Sequence, residues 1–314
     1  MELIKTICDL YQLGPLKTVP VVISAGRVWR VQTEQGCYAV KQLAANSVGL
    51  NNFLQGDKIA NAFANKMFSV CTALAYKDKK ICEINNNKFA VFKWRFGCIL
   101  SAGAVTSAYA YSIGRLLADL HITNITLPEV TISRWQNYQL NDWQEFKRFI
   151  KCKKNTNLIH YLTAKLNLWA EKYFTAKANL TNFSVISHGD LTQANVVLNK
   201  HLLSIIDWEA AGYIHPQIEL VGVLLNWSGI NFGKLKQESF TNIIKGYRAA
   251  GGEININETV LWASLGSWFA WLDFNVQLII FSKKNTELEV IHTVKILRRL
   301  TELFPLVLTW LENN

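Results

Sequence analysis

The 314-residue sequence predicts an α+β fold in two lobes, a small antiparallel sheet at the N-terminal end and a larger, mainly helical C-terminal body. Three observations predict it. Between Val21 and Leu43, three apolar strand-like pieces follow one another with only Ser24-Ala25-Gly26-Arg27 and Glu34-Gln35-Gly36 as breaks, the pattern of a meander. Further on, the apolar runs Val196-Val197-Leu198 and Leu202 to Ile206 flank a polar Asn199-Lys200-His201 connection, which predicts a hairpin of buried strands. About the last hundred residues carry helical spacing, broken by glycines at 246–252.

Composition narrows the class. A mean hydropathy of +0.10 with 18% charged residues excludes a disordered chain, and the length suffices for two lobes. Lys and Arg number 33 against 23 Asp and Glu, a net charge of +10 without a dense basic tract or a nucleic-acid motif. That balance suits an anionic ligand, and no nucleic-acid partner is expected. Cysteines stand singly at 8, 37, 71, 82, 98 and 152, as expected of reduced thiols in a cytoplasmic protein. The start of the chain has the acidic Glu2 and no long apolar core, and the apolar stretch Leu220 to Trp227 is too short to span a bilayer, so no membrane partner is expected. A monomer is favoured, with the oligomeric state left open.

Taken in order, Met1 to Leu10 reads as a short helix ended by Gly14-Pro15. The three strands of the meander are expected at 19–23, 28–33 and 37–43. Helical spacing follows from Asn51 to Ala75, through Phe53, Ile59, Ala60 and Phe63. Two more strands, Ile81 to Ile84 and Lys88 to Trp94, lead through Arg95-Phe96-Gly97 into the connection between lobes, where an apolar slot with backbone groups would suit adenine. The boundary is therefore placed there, giving lobes 1–96 and 97–314. An apolar helix is expected over 102–121, a variable connection over 122–140, and one or two amphipathic helices over 141–177 whose aromatic residues read as core. The segment Gly266 to Ile280 reads as an aromatic-rich helix carrying Asp273.

The chemistry concentrates at the open end of the hairpin. His188-Gly189-Asp190 and Asn195 precede its first strand and Asp207 follows its second, so folding is expected to bring Asp190, Asn195 and Asp207 toward one mouth. Phosphoryl transfer needs such groups: one carboxylate to orient the attacking hydroxyl and accept its proton, and hard oxygen donors to hold Mg²⁺.

The run H188-G-D-L-T-Q-A-N195 followed by I-I-D207-W-E209 resembles the catalytic and metal segments of the aminoglycoside phosphotransferase and choline kinase-like family, whose fold is similar to that of protein kinases. The family's succession of DWE, AG, P and EL is found in the same order in D207-W-E209, A211-G212, Pro216 and E219-L220, each gap one residue shorter than in the pattern DWE..AG....P...EL. The resemblance implies a protein-kinase-like fold and an ATP- and Mg²⁺-dependent small-molecule kinase. Asp190 is then the catalytic carboxylate, and Asn195 and Asp207 hold the metal. Gly26 lets a backbone turn approach the phosphates and Lys41 reaches them from the third strand. In the family, a glutamate on the following helix pairs with that lysine. Here Asp57 stands near that place, one methylene shorter, with Gln55 beside it.

His188 reads as orienting the loop, Glu219 as bracing it from behind, and His121, in the helix end resembling the family's Leu-His, as a packing or hydrogen-bonding residue. Glu209 is left open between metal, acceptor and turn cap. Asp273, in W271-L-D-F-N275, resembles an acidic position of bacterial relatives and is weighed as a carboxylate for a cationic acceptor against a helix-packing surface. The acceptor is expected to be a hydroxylated small molecule, an aminoglycoside or aminocyclitol, with choline, an amino alcohol or a sugar-like metabolite as alternatives. A protein-directed kinase, which would show D-F-G and A-P-E sequences, and a nonenzymatic nucleotide-binding scaffold are the remaining alternatives.

Overall fold

In the computed structural model the described residues are 1–24, 27–133, 136, 138–152, 156–281 and 286–313. They divide into two compact units, one of Met1–Ile99 with Ala194–Ala211 and one of Leu100–Gln193 with Gly212–Asn314. The architecture is α+β, with an antiparallel sheet in the first unit and a larger helical second unit.

The first unit is built on five strands: β1 (Val21–Ser24), β2 (Val28–Thr33), β3 (Gly36–Gln42), β4 (Cys82–Ile84) and β5 (Asn87–Lys93), in the order β1-β2-β3-β5-β4 with every pairing antiparallel. Alternation along β3 sends Tyr38 and Val40 into a cluster with Val31, Phe89 and Val91, closed by Ile4, Ile7 and Cys8 of helix α1 (Glu2–Leu10). Lys41 therefore faces the other way. It pairs in register with Ala90, whose own cluster holds Leu43, Phe53 and Ala73.

Helix α2 (Ser47–Ala64) starts where the Asn46 side chain accepts the Gly49 N–H at 2.8 Å. Helical spacing continues to Ala75 in the sequence, but the helix stops at Ala64. Met67 takes a left-handed φ of 67°, Phe68 turns back to meet the Phe63 ring edge-on at 5.3 Å, and the chain runs on extended, with Val70 bridging to Ile205 and Ala73 to Phe92. The hairpin of β7 (Val196–Asn199) and β8 (Leu202–Ile205) pairs Val196 with Ile205 and turns at Lys200, φ 54°. Cys98 and Leu198 exchange both backbone hydrogen bonds at 2.9 Å, so the segment after β5 is pinned to β7.

The second unit holds α3 (Ser107–Ile122), α4 (Leu140–Cys152), α5 (Thr156–Asn179), α6 (Pro216–Ser228), α7 (Gln237–Ala249), α8 (Glu258–Ala263), α9 (Gly266–Phe281) and α10 (Glu287–Glu312). Two three-residue strands, β6 (Val185–Ser187) and β9 (Gly212–Ile214), pair antiparallel and were not expected from the sequence. Helices α3 and α7 touch backbone to backbone. A methyl group on Gly114 would overlap the Ile243 carbonyl, and one on Gly246 would overlap the Tyr111 carbonyl, so each glycine admits the facing helix. Helix α6 begins with Pro216 in its first turn and ends at Gly229 in the left-handed region, φ 101°. Among the described residues, no helix is long and apolar enough to cross a membrane.

Candidate active site

In the first unit, Lys41 is the centre of the charged group. Its Nζ lies 2.7 Å from Asp207 Oδ1 and 2.7 Å from Glu209 Oε1. Burial works against the ammonium, but the charges and hydrogen bonds of Asp207 and Glu209 outweigh it and raise the lysine above its ordinary pKa. Asp207 adopts a left-handed backbone, φ 59° and ψ 69°, a sparsely populated conformation for a residue with a side chain. The turn after it is fixed by its neighbours. Trp208 is buried with its ring 5.4 Å from Phe63, Gln55 Nε2 donates to the Ala211 carbonyl at 2.8 Å, and Gly56 lets α2 approach the Trp208 carbonyl closely enough that a methyl there would overlap it.

Asn195 and Asp207 stand at the two ends of the hairpin, as expected. The Ile206 N–H donates to the Asn195 carbonyl at 2.9 Å, which closes the hairpin just before Asp207. An amide oxygen and a carboxylate offered from the two strand ends are hard oxygen donors, and Mg²⁺ bound with nucleotide phosphates asks for few protein ligands of that kind. The residues present fit it.

The expected Lys41–Asp57 pair is not formed. Asp57 is only 8% exposed, and its carboxylate accepts the Ala73 N–H at 2.6 Å and the Asn61 amide at 3.0 Å, with Lys80 at 3.9 Å. It fastens the extended segment after α2 to the helix. The shorter side chain is committed to a backbone donor beside its own helix, and carboxylates from beyond β8 take the lysine instead. Asp57→Asn is accordingly expected to cost about 1–3 kcal/mol of stability and to add independently to Lys41→Ala in a double-mutant cycle on ATP kinetics. Strong coupling between the two would contradict this placement. Gly26 lies outside the described residues.

In the second unit, the loop carrying Asp190 is held from several sides. His188 is fully buried and its Nδ1 accepts the Asp190 N–H at 3.2 Å. The Gly189 N–H donates to Glu219 Oε1 at 2.7 Å, Trp227 Nε1 donates to the Leu191 carbonyl at 2.8 Å, and Gln193 Nε2 to the Asn226 carbonyl at 2.7 Å. All three anchors come from α6. Behind them, Glu219 Oε2 lies 2.9 Å from His121 Nε2, and His121 Nδ1 lies 2.8 Å from the Tyr247 hydroxyl. Burial would raise the Glu219 pKa, but the hydrogen bond and charge of His121 lead the interactions that hold it below the usual carboxylate value. The Glu219–His121–Tyr247 chain joins α6, α3 and α7 behind the loop. Glu219 thus braces the loop through Gly189, and His121 is a buried hydrogen-bonding residue. Tyr247 is the member that sequence reasoning missed, because nothing in Gly246-Tyr247-Arg248 marks a tyrosine facing a histidine on another helix.

Asp273 on α9 is 8% exposed, and its Oδ1 accepts the Gln277 amide at 3.1 Å. Burial raises its pKa to about 6, with the charges of Asp142 and Glu145 on α4 adding to the shift. Between the ordinary value of 3.8 and about 6, the folded chain binds the proton more tightly than the unfolded chain, so ionisation costs stability as pH rises and the cost is complete above that window. Asp273→Asn is expected to stabilise the protein at pH 8 by up to about 3 kcal/mol and much less at pH 4, read from melting curves. A gain independent of pH would contradict the assignment.

The five-stranded antiparallel sheet of the first unit and the helical second unit define a fold of the protein-kinase-like class. A sequence model described as "Phosphotransferase enzyme family" matches residues 24–251. The chain belongs to that family. No curated protein matches it in sequence. Among solved structures, the choline kinase LicA from Streptococcus pneumoniae is similar with a TM-score of 0.70 at 14% identity, covering 96% of this chain and 100% of that one. Spectinomycin phosphotransferase APH(9)-Ia, in complex with ADP and spectinomycin, has a TM-score of 0.67 at 13% identity over 96% of this chain and 94% of its own. Plasmodium vivax ethanolamine kinase has a TM-score of 0.66 at 15% identity over 94% and 83%. At these identities the likeness is one of fold.

Proposed function

We propose that the protein transfers the γ-phosphoryl group of ATP, with Mg²⁺, to a hydroxyl of a small molecule carrying an ammonium group. The observation that carries the reading is the Lys41–Asp207 pair, two residues 166 positions apart brought to 2.7 Å on a face of the sheet away from the α1 core. Lys41 binds the α- and β-phosphates, and Asn195 and Asp207 hold the metal, which when bound offsets charge on the phosphates. Asp190 accepts a hydrogen bond from the acceptor hydroxyl, orients it, and takes its proton. Anchoring of its loop to α6 keeps that carboxylate in place at little entropic cost during the reaction.

Support for an ammonium-bearing acceptor comes from Asp142, Glu145 and Asp273, an acidic group within a chain of net charge +10. The acceptors named for the similar structures, spectinomycin, choline and ethanolamine, belong to those proteins, and each carries an amine or a quaternary ammonium group. A neutral sugar-like acceptor is the second reading, favoured by the overall positive charge. Action in the cytoplasm, as reduced cysteines suggest, belongs to the same proposal. A Mg²⁺-ATP consumption screen over aminoglycosides, choline, ethanolamine, homoserine and sugars, with mass detection of the phosphorylated product, tests it. An ammonium-bearing product, amine or quaternary, made efficiently, and poorly after Asp273→Ala, is the expected result. Efficient phosphorylation of a neutral sugar alone would overturn the ammonium assignment.

A further inference from the structure

We infer that Glu209 is the positioning residue for Lys41, the carboxylate that keeps the lysine in place when Asp207 turns to a metal ion. The inference rests on the phosphotransferase reading and assigns a role within the same site. Lys41 has two carboxylate partners at the same distance, 2.7 Å, and no bond to Asp57. One of the two, Asp207, is needed as a hard oxygen ligand, and a carboxylate shared with Mg²⁺ attracts an ammonium less. Glu209 is then the remaining anion for an amine that lies on a sheet face between strands. It sits on a short turn, Trp208–Ala210, whose tryptophan is buried against Phe63 and whose backbone lies on Gly56 of α2. The carboxylate is therefore carried by a rigid support, as a group that sets another side chain's position must be. The role that Asp57 could have filled from α2 has passed to the loop beyond β8.

Amine acetylation at trace reagent, read by peptide mass spectrometry on the full-length, nucleotide-free protein, separates the two carboxylates. Only the neutral amine reacts, so a partner that holds the charged form protects it. With exposed Lys5 as the internal reference, Glu209→Gln is expected to speed labelling of Lys41 roughly five- to tenfold, the weight of one charge-assisted hydrogen bond. Asp57→Asn should leave Lys41 labelling unchanged, because the Asp57 side chain is committed to the Ala73 N–H. In Mg²⁺-ATP turnover, Lys41→Ala and Glu209→Gln should combine to less than the sum of their effects on kcat/KM.

Unchanged Lys41 labelling in Glu209→Gln would overturn the inference, as would full additivity of Lys41→Ala and Glu209→Gln in kcat/KM. So would a shifted magnesium requirement with no change at Lys41, which would make Glu209 a metal ligand. Saturating ADP added to wild type reads the nucleotide assignment separately: protection of Lys41 supports it, and lack of protection counts against the phosphotransferase reading while leaving the Glu209–Lys41 pairing to be judged on the other arms.

Discussion

Asp190→Asn is expected to lower kcat by at least about 10²-fold while leaving Mg²⁺-ADP affinity within a few-fold of wild type. The asparagine keeps the size of the side chain and can still meet a hydroxyl, but it cannot take the proton and offers a weaker acceptor for alignment. The loop itself should stay put. The Gly189 N–H on Glu219, the Leu191 carbonyl under Trp227 and the Gln193 side chain on Asn226 anchor it, and these three bonds do not pass through the Asp190 carboxylate. The groups proposed to hold the nucleotide and its metal, Lys41, Asn195 and Asp207, belong to the other unit and are unchanged in sequence. Steady-state kinetics with the identified acceptor and calorimetric titration with ADP make the comparison. A near-normal kcat, or a loss explained by failed nucleotide binding, would remove Asp190 from its role.

Gly114→Ala is expected to destabilise the second unit by about 3 kcal/mol and to lower its melting temperature by roughly 10 °C. The added methyl would fall on the Ile243 carbonyl oxygen, a backbone atom that cannot turn aside as a side chain would. Gly246→Ala, facing the Tyr111 carbonyl across the same α3–α7 contact, should behave alike, and together the two should cost less than their sum, because once the helices have parted for one methyl the second finds room. Activity should fall with stability, since His121 on α3 and Tyr247 on α7 meet across this contact behind Glu219. Gly222→Ala is the control. It lies inside α6 with nothing within 4 Å of the added methyl, and it should be neutral or stabilising by up to about 1 kcal/mol. Equal effects at Gly114 and Gly222 would contradict the close packing of α3 on α7.

What could be read in the sequence follows from how local each signal is. The hairpin was legible because its two apolar runs, its polar turn and its flanking Asn195 and Asp207 all lie within a short span of chain. The meander was legible for the same reason, with the observed β1 to β3 close to the expected strands. The end of α2 was not, because the apolar residues beyond Ala64 keep helical spacing while their backbone pairs with Ile205 and Phe92, partners distant in sequence. Strands β6 and β9 are three residues each and too short to show alternation. Within the site, residue types were visible and partners were not. Asp57 was recognised as a carboxylate in the right region, but its acceptance of the Ala73 N–H depends on where a loop lies. Glu209 stood next but one to Asp207 in plain view, and only the fold shows that its oxygen reaches Lys41.

The fate of the γ-phosphoryl group tests the account most directly. Protein, Mg²⁺ and γ-labelled ATP are incubated with the acceptor found by the screen, and the label is followed by mass spectrometry and by phosphorus NMR. The account predicts that label leaves ATP rapidly only when acceptor is present, and that it is recovered as a phosphate ester on an acceptor hydroxyl. Label released as inorganic phosphate at the same rate with or without acceptor, or ATP left intact across the whole panel, would contradict it.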